Sequence, residues 1–207
     1  GSEMQISATA NAGYRFAAWN DDNTDNPRTI TVTQDSTFTA NFIALHNITV
    51  LSGDEEMGGV SGSGVYDENS EIQISATPAE HYHFVQWNDG NTDNPRTITV
   101  VEDSTFTAEF AIDRFTVTVE SADSEMGTVS ESGTYDYGAE IEISASASEH
   151  YHFVQWNDGN TDNPRTITVV EDTIFTAEFA IDRFTISVES ADTDMGSHSE
   201  GGTYDYG

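Results

Sequence analysis

Glu140-Ile141-Glu142-Ile143-Ser144-Ala145 alternates polar and apolar residues at every step. Successive side chains of a strand point to opposite faces, so Ile141, Ile143 and Ala145 share one face and Glu140, Glu142 and Ser144 the other. Phe115, Val117 and Val119 alternate with Thr116, Thr118 and Glu120 in the same way, and Phe106, Ala108 and Phe110 alternate with Thr105, Thr107 and Glu109. These segments are rich in Thr, Val, Ile and aromatic residues and read as half-buried antiparallel strands. No stretch carries a helical period, so the expected class is all-β.

The pattern recurs. His81 to Glu120 returns as His150 to Glu189 with differences only at Ser104/Thr173, Thr105/Ile174, Val117/Ile186 and Thr118/Ser187. Trp19, Trp87 and Trp156 mark the period, at intervals of 68 (19 to 87) and 69 (87 to 156) residues. A chain with such a period is an array. Its expected divisions are 1–44, 45–112, 113–181 and 182–207, here called copies 1 to 4. Gly1 to Ala8 aligns with Asn69 to Ala76, so copy 1 corresponds to a repeat lacking its first two strands, and copy 4 to those two strands alone. The copies are therefore expected to continue a longer covalent array or to exchange strands head to tail.

In copy 3 the alternation predicts six strands, near 114–120, 127–134, 140–145, 151–156, 166–170 and 173–179, separated by turn pairs such as Asp158-Gly159. Strands with one apolar face need a second layer, which predicts small six-stranded β-sandwiches or partly closed barrels stacked end to end. The expected core is Phe115, Val117, Val119, Ile141, Ile143, Tyr151, Phe153, Trp156, Ile167, Val169, Phe175 and Phe179, with equivalents in copy 2. A unit of this size buries only about 60% of its unfolded surface, so stacking on neighbours supports it.

Charge narrows the partners. The chain has 37 Asp and Glu against 6 basic residues, all arginine, for a net charge of −31. Phosphate binding needs a basic surface, so nucleic acid is excluded as a partner, as is docking to an anionic membrane. The self-repulsion keeps the chain soluble and suits a saline or calcium-rich exterior. The absence of lysine excludes Lys–Asn isopeptide cross-links, and the absence of cysteine excludes disulfides. No apolar run approaches the ~20 residues of a membrane span, and no signal peptide opens the chain.

Four features bear on a site. Trp87-Asn88-Asp89-Gly90-Asn91-Thr92-Asp93-Asn94-Pro95 sets oxygen ligands Asn88, Asp89, Asn91 and Asp93 around a glycine, as calcium loops do; Asn157, Asp158, Asn160 and Asp162 repeat it. Asn20, Asp22 and Asp25 make a poorer version. The closing bidentate Glu is missing unless Glu102 or Asp103 folds back, and Asp-Gly and Asn-Pro are equally ordinary turn chemistry. Calcium is thus a candidate ligand, not a required cofactor. Arg96 and Arg165 are expected to pair with Asp93 and Asp162. His81-x-His83 and His150-x-His152, two apart on a strand beside Glu80 or Glu149, offer a conceivable zinc or copper site. Tyr82, Phe84 and Trp87 can form a sugar-stacking platform if exposed, or anchor the core if buried. No Ser–His–acid pattern recurs, and the short strands leave little room for a pocket, so no enzyme is expected.

Gly13-Tyr14-x-Phe16-x-x-Trp19, Thr29-Ile30-Thr31-Val32 and Phe38-Thr39-Ala40-x-Phe42, with Phe115-x-Val117-x-Val119, Gly133-x-Tyr135-x-x-Gly138 and Ile141-x-Ile143-x-Ala145, resemble the divergent internalin-B B-repeat family of bacterial surface and secreted proteins. The likeness covers essentially the whole chain. His81 and His150 stand where that family usually has glycine, which predicts loss of the tight turn there. The resemblance implies an extracellular stalk, spacer or adhesin and brings no catalytic residues. The expected partners are other copies of the chain, with surface glycans or host proteins in the adhesin alternative, where weak sites gain avidity from repetition.

Overall fold

In the computed structural model of the protein, which describes residues 1–191 and 196–207, every regular element is a strand. Among these residues no helix is long and apolar enough to cross a membrane. One compact unit, Gly1–Ile112, holds β1 (Ser2–Ile6), β2 (Tyr14–Trp19), β3 (Arg28–Val32), β4 (Ala40–Ser52), β5 (Gly58–Ser61), β6 (Gly64–Asp67), β7 (Glu71–Pro78), β8 (Tyr82–Trp87), β9 (Arg96–Thr99) and β10 (Ser104–Ile112). The other, Asp113–Gly207, holds β11 (Arg114–Ser121), β12 (Gly127–Val129), β13 (Gly133–Asp136), β14 (Glu140–Ile143), β15 (Ala145–Ala147), β16 (Tyr151–Trp156), β17 (Arg165–Thr168), β18 (Thr173–Ile181), β19 (Arg183–Ile186) and β20 (Gly202–Asp205).

In the first compact unit β2, β4, β10 and β8 lie side by side with β6 against β4, while β5, β7 and β9 form a three-stranded sheet and β1 and β3 a ribbon. In the second the order is β13-β11-β18-β16, beside ribbons β12–β15, β14–β17 and β19–β20. Among the described residues no sheet closes into a barrel.

The strands are not all antiparallel. β10 runs parallel to β4, and β18 parallel to β11, with Val119 opposite Phe175. A parallel pair needs a crossover of at least a dozen or so residues, and the strands in between supply it here. Alternation reports which face a residue occupies but not the direction of its neighbour, so the sequence pattern could not distinguish the two.

Copy 3 also has more strands than the expected six. The 127–134 segment divides because β12 pairs with β15 whereas β13 pairs with β11. The 140–145 segment divides at Ser144, whose carbonyl accepts the Ser130 N–H (2.9 Å) while its own N–H donates to Ser130 Oγ (3.1 Å).

The core of copy 3 comprises Val117, Val119, Ile143, Ala145, Trp156, Ile167, Val169, Phe175 and Ala177, with Phe115, Ile141, Phe153 and Phe179 packed on its margin. Copy 2 reproduces it around Ile48, Val50, Ile74, Trp87, Ile98 and Val100. Tyr151, expected inside, is half-buried and lies outside the cluster. Ala177 is the unexpected member. It sits directly across from Trp156, as Ala108 does from Trp87 and Ala40 from Trp19. A small residue opposite each indole leaves room for the ring, as close packing requires.

His81 and His150 keep the turn they were expected to disrupt. Both adopt left-handed backbone, with φ of 69° and 74°, close to the 82° of Gly13. The N–H of Tyr82 and of Tyr151 still closes the turn on Ala79 and Ser148 at 3.2 Å. Asp22 (φ 62°) likewise holds a position that Gly90 and Gly159 fill in the other copies. A side chain there costs free energy that glycine does not, offset in part by the freedom glycine regains on unfolding. Asp22→Gly should therefore raise stability by about 0.5 kcal/mol, and Gly90→Ala should lower it by about 1 kcal/mol. Denaturant midpoints check both, and a destabilised Asp22→Gly chain would contradict the strain argument.

Candidate functional site at the tryptophan loop

Each tryptophan ends a strand, and its backbone and side chain both shape the loop that follows. Trp87 N–H donates to the Asn91 carbonyl, and Gly90 N–H to the Trp87 carbonyl, each at 2.8 Å. The indole N–H donates to the Asp93 carbonyl at 2.9 Å. Trp156 makes the matching bond to Asp162 at 3.0 Å, and Trp19 to Asp25 at 2.9 Å. A buried indole needs such a partner, because an unmet N–H costs about 1–3 kcal/mol.

Of the side chains considered as calcium ligands, Asn88, Asp89 and Asn91 and their counterparts Asn157, Asp158 and Asn160 bind the protein itself. Asn88 Oδ1 accepts the Thr107 N–H at 3.1 Å, and Asn157 Oδ1 the Thr176 N–H at 3.2 Å. Asp89 Oδ1 accepts the Asn91 N–H (3.2 Å) and Asn91 Oδ1 the Asp93 N–H (2.9 Å). Asp158 and Asn160 do the same at 3.1 and 2.8 Å. Asp93 and Asp162 contribute their main-chain carbonyls to the indoles. Asp103 folds toward β4, where its carboxylate accepts the Asn47 N–H at 2.8 Å, and Asp172 holds Thr116 N–H at 2.7 Å. Among the described residues no group of three or more His, Asp and Glu side chains is arranged to hold a metal ion.

Two partners differ from expectation. Arg96 pairs with Asp89, not Asp93, and Arg165 with Asp158, not Asp162, each at 2.7 Å. The reason is local: the Asn91 and Asn160 N–H groups already fix the carboxylates of Asp89 and Asp158 in the turn. The guanidinium of Arg96 also lies 5.1 Å from the centre of the Phe106 ring, and that of Arg165 5.0 Å from Phe175. Arg28, Asp21 and Phe38 repeat the triplet in copy 1.

The sequence reasoning missed Asn94 and Asn163. The Asn94 amide donates to the Ala76 carbonyl (2.7 Å) and accepts the Ala76 N–H (3.0 Å), a two-point clasp that Asn163 makes with Ala145 and Asn26 with Ala8. The Asn-Pro step recurring in each loop was the available signal, read only as a turn.

The histidines do not form the expected strand pairs. His81 and His150 lie in the left-handed turns, and only His83 and His152 lie on strands. His150 stacks on Tyr206 with ring centres 3.4 Å apart, and His152 Nδ1 is 2.9 Å from Asp182 Oδ1. Of the aromatic platform Trp87 is interior, as is Trp156, each 0% exposed, while Tyr82 and Phe84 are half-buried.

Fold and loop together define a tandem β-repeat whose polar loops bind their own backbone. The chain belongs to the divergent InlB B-repeat domain family, which matches residues 1–45, 48–114 and 116–183. That family is a bacterial surface repeat domain and not a known enzyme family. No curated protein matches the chain.

Partial burial pushes the Asp89 carboxyl up, but the Arg96 hydrogen bond, the Asn91 N–H and the Arg96 charge outweigh it and hold the pKa below the usual 3.8; Asp158 behaves alike. A depressed folded-state pKa gives stabilisation that is complete above the usual value and is lost as pH falls through the folded one. Asp89→Asn should cost about 1 kcal/mol at neutral pH. The gap from the unmodified chain should close below pH 4 in thermal melts, and a gap constant with pH would show that the carboxylate charge is irrelevant.

Proposed function

We propose that this chain is a structural repeat segment of a bacterial extracellular fibre or cell-surface stalk, its copies assembling end to end. The observation that carries this reading is the inward use of the tryptophan loop. The indoles are engaged internally with matching geometry at Trp19, Trp87 and Trp156, and the Asp89, Asp158, Asn94 and Asn163 side chains also bind within the protein. A glycan-binding array would present such groups to solvent instead.

Continuity between copies also supports a mechanical role. β4 serves copies 1 and 2 at once: Ala40–Ala44 pairs with β2, and Ile48–Ser52 with β10. Bending at that point has to break strand hydrogen bonds. Copy number then sets reach, and the unneutralised acidic surface keeps neighbouring fibres apart.

Small-angle X-ray scattering tests this on the chain and on versions extended by one and two further 69-residue copies. The maximum dimension should grow by a constant increment per copy, and growth typical of a compact globule would sink the stalk reading. Calcium is tested separately by melting in millimolar calcium and in chelator. With the Asn88, Asp89 and Asn91 oxygens and their counterparts engaged internally, the midpoints should coincide; a rise of several degrees with calcium would assign the ion to the loops.

A further inference from the structure

We infer that the parallel strand pair of copies 2 and 3 is a force-bearing clamp, set so that tension along the chain loads all its hydrogen bonds at once. The inference rests on the stalk reading and adds what such a stalk withstands.

Chain order and strand direction carry it. Copy 3 is entered through β11 and left through β18, and copy 2 is entered through the second half of β4 and left through β10. In each copy these two strands are neighbours and run parallel, Val117–Ser121 along Thr173–Ala177 and Ile48–Ser52 along Ser104–Ala108. A parallel pair puts the start of one strand and the end of the other at opposite ends of the ladder. Tension in the flanking chain therefore slides one strand along the other, and the evenly spaced bonds of a parallel ladder share the load. With antiparallel first and last strands the chain would enter and leave at one end, and tension would open the bonds one by one.

The surroundings of the pair fit that load. At the entry end of copy 3 the Asp172 carboxylate accepts the Thr116 N–H at 2.7 Å, and at the exit end the Ala122 N–H donates to the Ala177 carbonyl at 3.0 Å. Copy 2 has the same two bonds, Asn47 to Asp103 and Gly53 to Ala108, each at 2.8 Å. Both ends of the ladder are thus fastened beyond the paired residues. The outer edge of the first strand is held as well: Ser132 Oγ accepts the Val119 N–H at 2.9 Å, and Ser63 Oγ the Val50 N–H at 2.8 Å. Val117, Val119, Phe175 and Ala177 bury the inner face of the copy 3 pair, and an apolar surrounding strengthens the bonds beside it. The Trp156 loop lies between the two strands in sequence, so it carries no load until they part.

The chain has no cysteine, so introduced cysteines define the pulling points. In the full chain, Arg114→Cys with Glu178→Cys loads copy 3 in shear, and Arg114→Cys with Glu171→Cys pulls the same two strands apart from their shared end. All three positions are exposed, so both variants should keep the melting temperature of the parent. Unfolding in optical tweezers should release about 200 Å in each geometry, from 64 residues (114 to 178) or 57 (114 to 171) at about 3.5 Å each. At equal loading rate the shear geometry should need about three times the force or more, because there the bonds must break together. Equal forces, or a lower force in shear, would overturn the inference whatever the scattering experiment shows. A higher shear force in a chain that scatters as a compact globule would remove the stalk and leave the clamp standing, so the two failures are distinct.

Discussion

Each complete core in this protein is closed by the parallel pairing of the first and last strands of a copy. Without β11 beside β18, the apolar faces of Ile143, Ile167, Val169 and Phe175 would lack the Val117 and Val119 side chains packed with them. The pair joins residues far apart in the chain, so its loop-closure entropy is met only when the intervening strands are folded. A copy is consequently a cooperative object: closing strand and crossover form together. Residues 36–39 and 187–190, the counterparts of this pair in copies 1 and 4, are not strand, and Val32, Ile186 and Val188 are exposed.

Within that frame the tryptophan loop fastens the crossover. Asn94 holds Ala76 on β7, Trp87 holds the Asp93 carbonyl, and Asn88 holds Thr107 on β10. Three neighbouring loop residues thereby tie three strands. Arg96 adds a charged bond to Asp89 and a ring contact to Phe106 from one side chain. All six arginines are ion-paired: Arg28, Arg96 and Arg165 with Asp21, Asp89 and Asp158 in the loops, and Arg15 with Asp67, Arg114 with Asp136 and Arg183 with Asp205. Each guanidinium lies beside a carboxylate, and the remaining carboxylates repel one another across a surface with net charge −31. Such repulsion weakens compact states and is relieved by salt.

What the sequence disclosed follows from what its patterns encode. Period-two alternation marks faces, so the strands, the interior tryptophans and most of the core were legible from residues such as Ile141, Ile143 and Val117. The 69-residue period was legible because it is written in the chain itself. Strand direction was not, because Val119 has the same alternation whether Phe175 runs beside it parallel or antiparallel. Ala177 escaped because its role is to be small opposite Trp156, a property of the pair and not of the residue. Arg96 was assigned to the wrong carboxylate because sequence proximity favoured Asp93, whereas the Asx turn at Asp89 decides which carboxylate is fixed. His81 and His150 looked like a broken turn because residue preference speaks for glycine, yet the surrounding fold imposed the left-handed backbone on them.

The same physics explains why near-identical copies can be joined without a separate linker. In the first compact unit one strand, β4, finishes copy 1 and begins copy 2, with Leu45 at the junction. Copy 3 and copy 4 are joined differently: β18 stops at Ile181, Asp182 interrupts the strand, and β19 starts at Arg183. Asp182 accepts His152 through its carboxylate and donates its N–H to the His150 carbonyl at 2.8 Å. Leu45 donates the same bond to the Gly13 carbonyl at 2.8 Å, so what distinguishes the two junctions is the side chain, apolar in one and a carboxylate beside His152 in the other. The difference between these junctions thus lies at one position per copy, while the core pattern of copies 2 and 3 is the same.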